Sequence, residues 1–136
     1  MEQWEEKVRE RSEQNGYMKL SGIDVVEVEQ DRVVLRMPVC DEICNPYGVI
    51  HGGALYTLAD DATGEAAHTD GRNYVTQVGT MQFLRNIREG AAVAEARVRH
   101  RGRSTCLVAV DITAEGTGAL LATGEYTYFR IDPEKL

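Results

Sequence analysis

The chain has 136 residues, a length that suits one compact domain because two cores would each be small. With 43% hydrophobic and 27% charged residues it is too apolar for a disordered chain. Fifteen basic against 22 acidic side chains leave a net charge of −7. That balance argues against a nucleic-acid backbone or an anionic membrane as the main partner, yet allows an anionic small ligand held by a few local arginines. The longest stretch without a charged residue, Ile43 to Ala59, holds 17 residues and includes Asn45, Pro46, His51 and three glycines, so it is no transmembrane helix. The first 20 residues carry Glu and Arg throughout and lack an apolar segment, so no secretory signal is expected.

Cys40, Cys44 and Cys106 form no small-domain disulfide framework, which points to a reducing, cytoplasmic compartment. Cys40, Cys44 and His51 fall short of a zinc site, because a fourth ligand and a second Cys pair are missing. The thiols read as small, partly buried side chains beside a loop, and no metal is expected.

In chain order, Met1 to Gln14 reads as a charged helix with Trp4 and Val8 on one face, stopped at Asn15-Gly16. Two strands follow, Ile23 to Glu29 and Arg32 to Val39, joined by a hairpin turn at Gln30-Asp31. Cys40 to Ile50 reads as loop, punctuated by Asn45-Pro46 and Gly48. From Gly53 to about His68 lies the one long helix after the N-terminus, with Leu55, Leu58, Ala59, Ala62 and Ala66 at 3.6-residue spacing. Its alanines and Gly64 suit a helix cradled by a curved sheet, with another backbone in close approach. Four strands remain: Tyr74 to Leu84, Ala91 to His100, Ser104 to Thr113 and Ala119 to Ile131, with Gly102 and Gly116-Thr117-Gly118 at turns. They read as a meander of four. Strands segregated from one central helix make an α+β domain with a mainly antiparallel sheet.

The segment from Asn45 to Asp60 carries the chemistry: Asn45, Gly48, His51-Gly52-Gly53, and Asp60 nine residues after the His. It resembles the hotdog-fold acyl-CoA thioesterases of the phenylacetate-pathway type, and the resemblance extends over nearly the whole chain. It implies a single hotdog domain over residues 1–136: a long helix wrapped by a curved sheet of about six strands, with residues 1–16 as an N-terminal helical extension. Free N–H groups at a helix N-terminus stabilise the oxyanion of a thioester under attack, and a carboxylate attacks the carbonyl or draws a proton from water. The resemblance implies the Gly52 N–H as oxyanion donor and Asp60 as catalytic carboxylate. Asn45 would orient the water or the thioester, and Thr76 would help hold the water. His51 anchors the loop at the helix start and, with Gly53, lies against the substrate. Asp61, about 100° round the helix from Asp60, is expected in solvent.

Eight residues separate Gly52 from Asp60, about 12 Å along one helix. One carbonyl cannot touch both, so two antiparallel helices from two subunits would share each site, as the family is built. Asn45 and Gly52 would come from one chain, Asp60 and Thr76 from its partner, in a homodimer or a homotetramer. Arg101-Gly102-Arg103-Ser104, a basic turn in an acidic chain, reads either as a solvated hairpin or as a contact for coenzyme A phosphates. Coenzyme A enters only as part of the substrate, and no separate cofactor is expected. The family commonly has Pro soon after the Arg that ends the strand following the helix. Here Arg85-Asn86-Ile87 lacks it, so a different local loop shape is expected. The competing readings are a non-catalytic acyl-CoA-binding protein and a hotdog hydratase. The hydratase pairs a His with a carboxylate in an arrangement not found around His51, His68 or His100.

Overall fold

The protein is described here by a computed structural model covering residues 2–136; Met1, where the first helix was expected to begin, lies outside the described residues. Helix α1 runs Gln3–Gln14 and buries Val8, while Glu5 and Arg9 pair at 3.3 Å one turn apart on its outer side. Asn15 ends α1 and at once caps a second short helix, α2 (Gly16–Leu20), its side chain accepting the Met18 N–H at 3.0 Å. Five residues are too few to show a helical period, which is why α2 reads as loop in the sequence.

Strands β1 (Asp24–Glu29) and β2 (Arg32–Pro38) form the expected hairpin. Helix α3 spans Gly52–Ala67 and continues as a 3₁₀ turn, His68–Asp70. Strands β3 (Asn73–Phe83), β4 (Ala91–Arg101), β5 (Thr105–Ala114) and β6 (Leu120–Ile131) complete one antiparallel sheet of six strands, in the order β1-β2-β4-β5-β6-β3. The core lies between α3 and one face of this sheet. Leu55, Leu58, Ala59, Ala62 and Ala66 face it, each at most 1% exposed, against Ala92, Ala94 and Ala96 of β4 and Cys106, Val108 and Ile112 of β5. Among the described residues, no helix is long and apolar enough to cross a membrane.

The expected meander of four strands is corrected to three. β3 pairs with β6 rather than with β4, and β4 pairs with β2. Residues 84–90 carry the chain from one side of the sheet to the other, and β3 is left as an edge. Edge strands normally carry charge or stay short, yet this one is eleven residues long, with Val75, Val78 and Phe83 exposed at 40%, 54% and 51%.

Arg101 locks the far end of α3. Its guanidinium donates to the carbonyls of Ala66 (3.3 Å) and Ala67 (2.9 Å) and to Asp31 (2.7 Å), and it lies 2.8 Å from Asp70. A cation at a helix C-terminus satisfies carbonyls that have no partner within the helix and complements the dipole. Asp31 adopts a left-handed conformation (φ 65°), and its N–H donates to Thr69 at 2.9 Å. One arginine therefore ties the β1–β2 turn, the end of α3 and the end of β4 together. Arg101→Ala should lower stability by about 2 kcal/mol, since it leaves the Ala66 and Ala67 carbonyls and the half-exposed Asp31 carboxylate without this donor, while Asp70 keeps Arg72 and Tyr74. Urea unfolding measures this, and a loss below half that size would show the lock to be weak.

Candidate active site

The loop before α3 is built from its own polar groups. The Asn45 side-chain oxygen accepts the N–H groups of Tyr47 (2.9 Å) and Val49 (3.4 Å), and its backbone pairs with Val49 and Gly48. Those donors fix which end of the carboxamide is oxygen. The Asn45 NH2 therefore faces outward as a donor, without a partner among the described residues. Asn86 bonds Ile50 twice, accepting its N–H at 3.1 Å and donating to its carbonyl at 2.8 Å. A side chain thus imitates a strand partner at the position where the family's proline is absent, and it pins the loop to the segment after β3.

His51 is the N-cap of α3. Its Nδ1 accepts the Gly53 N–H at 2.8 Å, so Nδ1 carries no proton, and its carbonyl accepts Ala54 and Leu55. The ring lies so close that a Cβ at residue 53 would fall 3.0 Å from Nδ1, so a larger residue there would push on the capping imidazole. Of the first three N–H groups of the helix, His51 takes those of Gly53 and Ala54. The Gly52 N–H alone meets no acceptor among the described residues.

Asp60 sits mid-helix, on the face that meets β3 and β6. Thr76 and Tyr128 are cross-strand partners, so their side chains project the same way. Thr76 Oγ1 donates to Asp60 Oδ1 at 2.7 Å, and Tyr128 Oη lies 2.7 Å from the same oxygen. A bulge follows Thr76 and leaves Gln77 without a partner across the ladder. With Oδ1 held twice, Asp60 Oδ2 is the oxygen without a hydrogen bond among the described residues. Tyr128 also reaches Thr63 (2.7 Å) and packs on Gly64, where a Cβ would fall 3.3 Å from its hydroxyl. Burial pushes its phenol well above the usual range, so it stays a neutral donor. Gly64 admits a tyrosine ring, then, and not the backbone that its small size suggests. Tyr128 was not singled out from the sequence. The signal was there: Tyr126 and Tyr128 alternate inward on the last strand, and a buried tyrosine hydroxyl needs a partner.

The thioesterase superfamily profile matches residues 47–120. The chain belongs to the thioesterase superfamily. It is 33% identical over 101 residues to the acyl-coenzyme A thioesterase PaaI of Escherichia coli strain K12, a match covering 74% of this chain and 72% of that one. It is 29% identical over 103 residues to a 1,4-dihydroxy-2-naphthoyl-CoA hydrolase of Listeria monocytogenes, covering 74% and 84%. The solved structure of the E. coli PaaI protein superposes with a TM-score of 0.90 at 28% identity, covering 95% of this chain and 94% of that one. The fold of this superfamily member is thus the hotdog fold, with α3 as the wrapped helix.

Two expectations about this thioesterase-superfamily site are corrected. Asp61 is not in solvent: its Oδ2 is buried without a hydrogen-bond partner, and Asn15, between α1 and α2, reaches its other oxygen only at 3.5 Å. The helix α1 packs over the face where Asp61 projects. The basic turn also divides. Arg101 is turned inward as described, and Gly102 and Arg103 offer their carbonyls to Arg72 at 3.2 and 3.3 Å. Only the Arg103 and Ser104 side chains of that turn are exposed. Among the described residues, no group of three or more His, Cys, Asp or Glu side chains is placed to hold a metal. Cys40 is exposed, Cys44 partly buried, and Cys106 buried, all as free thiols.

Behind Asp60 lies a row of buried ionisable groups. Burial pushes the Asp61 carboxyl up to about 7, helped by the nearby Asp60. Burial likewise pushes Glu65 up to about 7, opposed by Arg11, whose Nε stands at 3.7 Å, too far for a hydrogen bond. Burial pulls His68 down to about 4. This ring is neutral with both nitrogens engaged: Nδ1 donates to the Gly64 carbonyl at 2.6 Å and Nε2 accepts the Tyr74 N–H at 3.2 Å.

The raised carboxyls hold protons that the unfolded chain has lost, so they remove stability as pH rises from about 4.5 through 7. His68 acts oppositely and removes stability as pH falls from 6.5 through 4. Above pH 6.5 only the carboxyls act. Glu65→Gln keeps the shape and removes one of them. Its stability relative to the parent should therefore rise between pH 5 and pH 8, by up to about 3 kcal/mol. Thermal unfolding at both pH values reads this, and a difference independent of pH would contradict it.

Proposed function

We infer that the chain is an acyl-CoA thioesterase, hydrolysing a coenzyme A thioester to a carboxylic acid and free thiol at a site shared by two subunits of a homodimer. The observation that carries this reading is the pairing of one unclaimed helix N–H, at Gly52, with one carboxylate, Asp60, whose Oδ1 is fixed and whose Oδ2 is free. Oδ2 supplies the attack, as nucleophile on the carbonyl carbon or as base toward a water. The charge that develops on the carbonyl oxygen goes to the Gly52 N–H, strengthened by the helix dipole. The free NH2 of Asn45 suits a second contact to that oxygen or to the water, and Thr76 keeps the carboxylate aimed.

The dimer is supported by two independent facts. The helical rise puts Gly52 and Asp60 about 12 Å apart within one chain. β3, beside Asp60, is a long edge with exposed Val75 and Val78 that a second copy would cover. The reading is cytoplasmic, as the reduced thiols suggest. Phosphate contact falls to Arg103, with Ser104 and the Gly102 backbone beside it, while Arg101 acts from within.

Asp60→Asn should lower turnover at least about a hundredfold, the range for losing a general base, while acyl-CoA still binds. Gly52→Pro replaces the N–H by a ring carbon with little strain on the backbone: proline suits the first helical position, and His51, at ψ 137°, already has the backbone that precedes proline. It should cost about a hundredfold or more, as for loss of an oxyanion donor. Co-refolding the two inactive variants should then restore about a quarter of full activity, because half the dimers are mixed and each has one intact site. No recovery in mixed dimers would overturn the shared site. Oxygen-18 appearing in Asp60 after a single turnover in labelled water would identify the nucleophilic route.

Arg103→Ala should raise KM for acyl-CoA several-fold with kcat little changed, since a phosphate contact acts alike in ground and transition states. A thioester lacking the nucleotide should be indifferent to the change. Equal effects on both substrates would reduce Arg103 to a solvated turn.

A further inference from the structure

Three hydroxyls cluster around one carboxylate oxygen. Thr76 Oγ1 and Tyr128 Oη each stand 2.7 Å from Asp60 Oδ1, and Thr63 Oγ1 stands 2.7 Å from Tyr128 Oη. A hydroxyl has one proton to give and lone pairs with which to receive. Two backbone carbonyls compete for these protons: that of Ala59, 2.8 Å from Thr63 Oγ1, and that of Asp60, 2.6 Å from Tyr128 Oη. Both already accept an N–H one turn further along α3, whereas the carboxylate oxygen bears formal charge and is the stronger acceptor. The protons of Thr76 and Tyr128 therefore go to Oδ1, and that of Thr63 goes to the free lone pair of Tyr128. Thr63, Tyr128 and Asp60 thus make a chain of hydrogen bonds pointing one way, in which each bond strengthens the next.

The direction of this chain depends on charge. On a neutral Asp60 the preference for Oδ1 is lost, and the Tyr128 proton is free to turn to the Asp60 carbonyl. The phenol therefore favours the ionised carboxylate over the neutral acid. Tyr128 is 2% exposed, with its ring filling the space above Gly64, so it does not meet the substrate. Burial pushes its phenol well above the usual range, which closes a role as an acid to it. Whatever Tyr128 contributes reaches the reaction through Asp60. We propose that Tyr128, backed by Thr63, is a positioning residue for the hydrolysis inferred above: its hydroxyl holds Asp60 Oδ1 in the charged form and keeps Oδ2 turned outward to react. The catalytic part rests on the thioesterase reading; the hydrogen-bonded charge does not.

Tyr128→Phe removes the hydroxyl and keeps the ring. The Thr63 proton then returns to the Ala59 carbonyl, so no buried donor is stranded. The variant should lower kcat for acyl-CoA by about ten- to a hundredfold, the worth of a hydrogen bond to a charged group, with KM within about twofold. On the acid side, the pH at which kcat/KM halves should rise, because the lost donor favoured the ionised carboxylate. Added to Asp60→Asn, the same change should cost less than about twofold, since no charge is left to hold. An acid limb that stays in place, or an equal loss of kcat with and without the carboxylate, overturns the role and leaves Tyr128 as packing. Carbon-13 NMR reads the contact without turnover. In the parent, the Tyr128 Cζ resonance should follow pH with the same midpoint as the Asp60 carboxyl carbon, and that midpoint should rise in Tyr128→Phe. Resonances that move together, with no acyl-CoA hydrolysed by the parent, would sink the hydrolase reading and leave the held charge standing. A Tyr128 resonance indifferent to the Asp60 titration, with hydrolysis intact, would do the reverse.

Discussion

An α-helix rises by a fixed amount per residue, and in this protein that constraint governs everything near the site. α3 carries an unclaimed N–H at its first residue and a held carboxylate near its middle. No side-chain rotation brings the two together, since one belongs to the backbone and the other is anchored by Thr76 and Tyr128. The separation is the premise on which the proposed two-subunit site rests. The rest of the fold keeps the helix from shifting. At one end His51 and Asn86 fasten the entering loop; at the other Arg101 fastens the last carbonyls to the β1–β2 turn.

Much of the fold was legible because its elements are long and their periods clean. The five apolar positions of α3 are all buried, and the alternation along β4 and β5 gives the inward face correctly. Strand pairing was less legible. Periodicity says that Tyr74 to Leu84 is a strand, but nothing local says that the chain then crosses to the other side of the sheet. That rests on pairings distant in sequence, β3 with β6 and β4 with β2, and Asn86 bonds Ile50, 36 residues away, within the crossing segment. α2 was missed because one helical turn has no period to read.

The candidate site was legible where backbone geometry sets it and obscure where packing does. Gly52 and the cap at His51 follow from a helix start, and Asp60 and Thr76 do meet. Asp61 was misjudged because a helical wheel gives a direction and not what occupies it; here α1 lies over it. Arg101 was misjudged for a similar reason. A basic turn looks solvated until one knows that the C-terminal carbonyls of α3 end beneath it. Tyr128, sixty-eight residues from Asp60 in sequence, has no local mark beyond its alternation with Tyr126.

The pairing of the arginines within the chain bears on how a polyanion would arrive. Arg32, Arg36, Arg72 and Arg101 are each paired with carboxylates of the same chain, so their charge is cancelled at short range. What remains at a distance is the field of a chain with net charge −7. A nucleotide approaching through that field is repelled until it is within reach of a few exposed cations such as Arg103. Moderate ionic strength shortens the reach of the repulsion to about 8 Å while leaving a close contact largely intact. Association of an anionic substrate with this protein would therefore quicken on the first addition of salt, the opposite of the behaviour of a cleft lined with unpaired arginines.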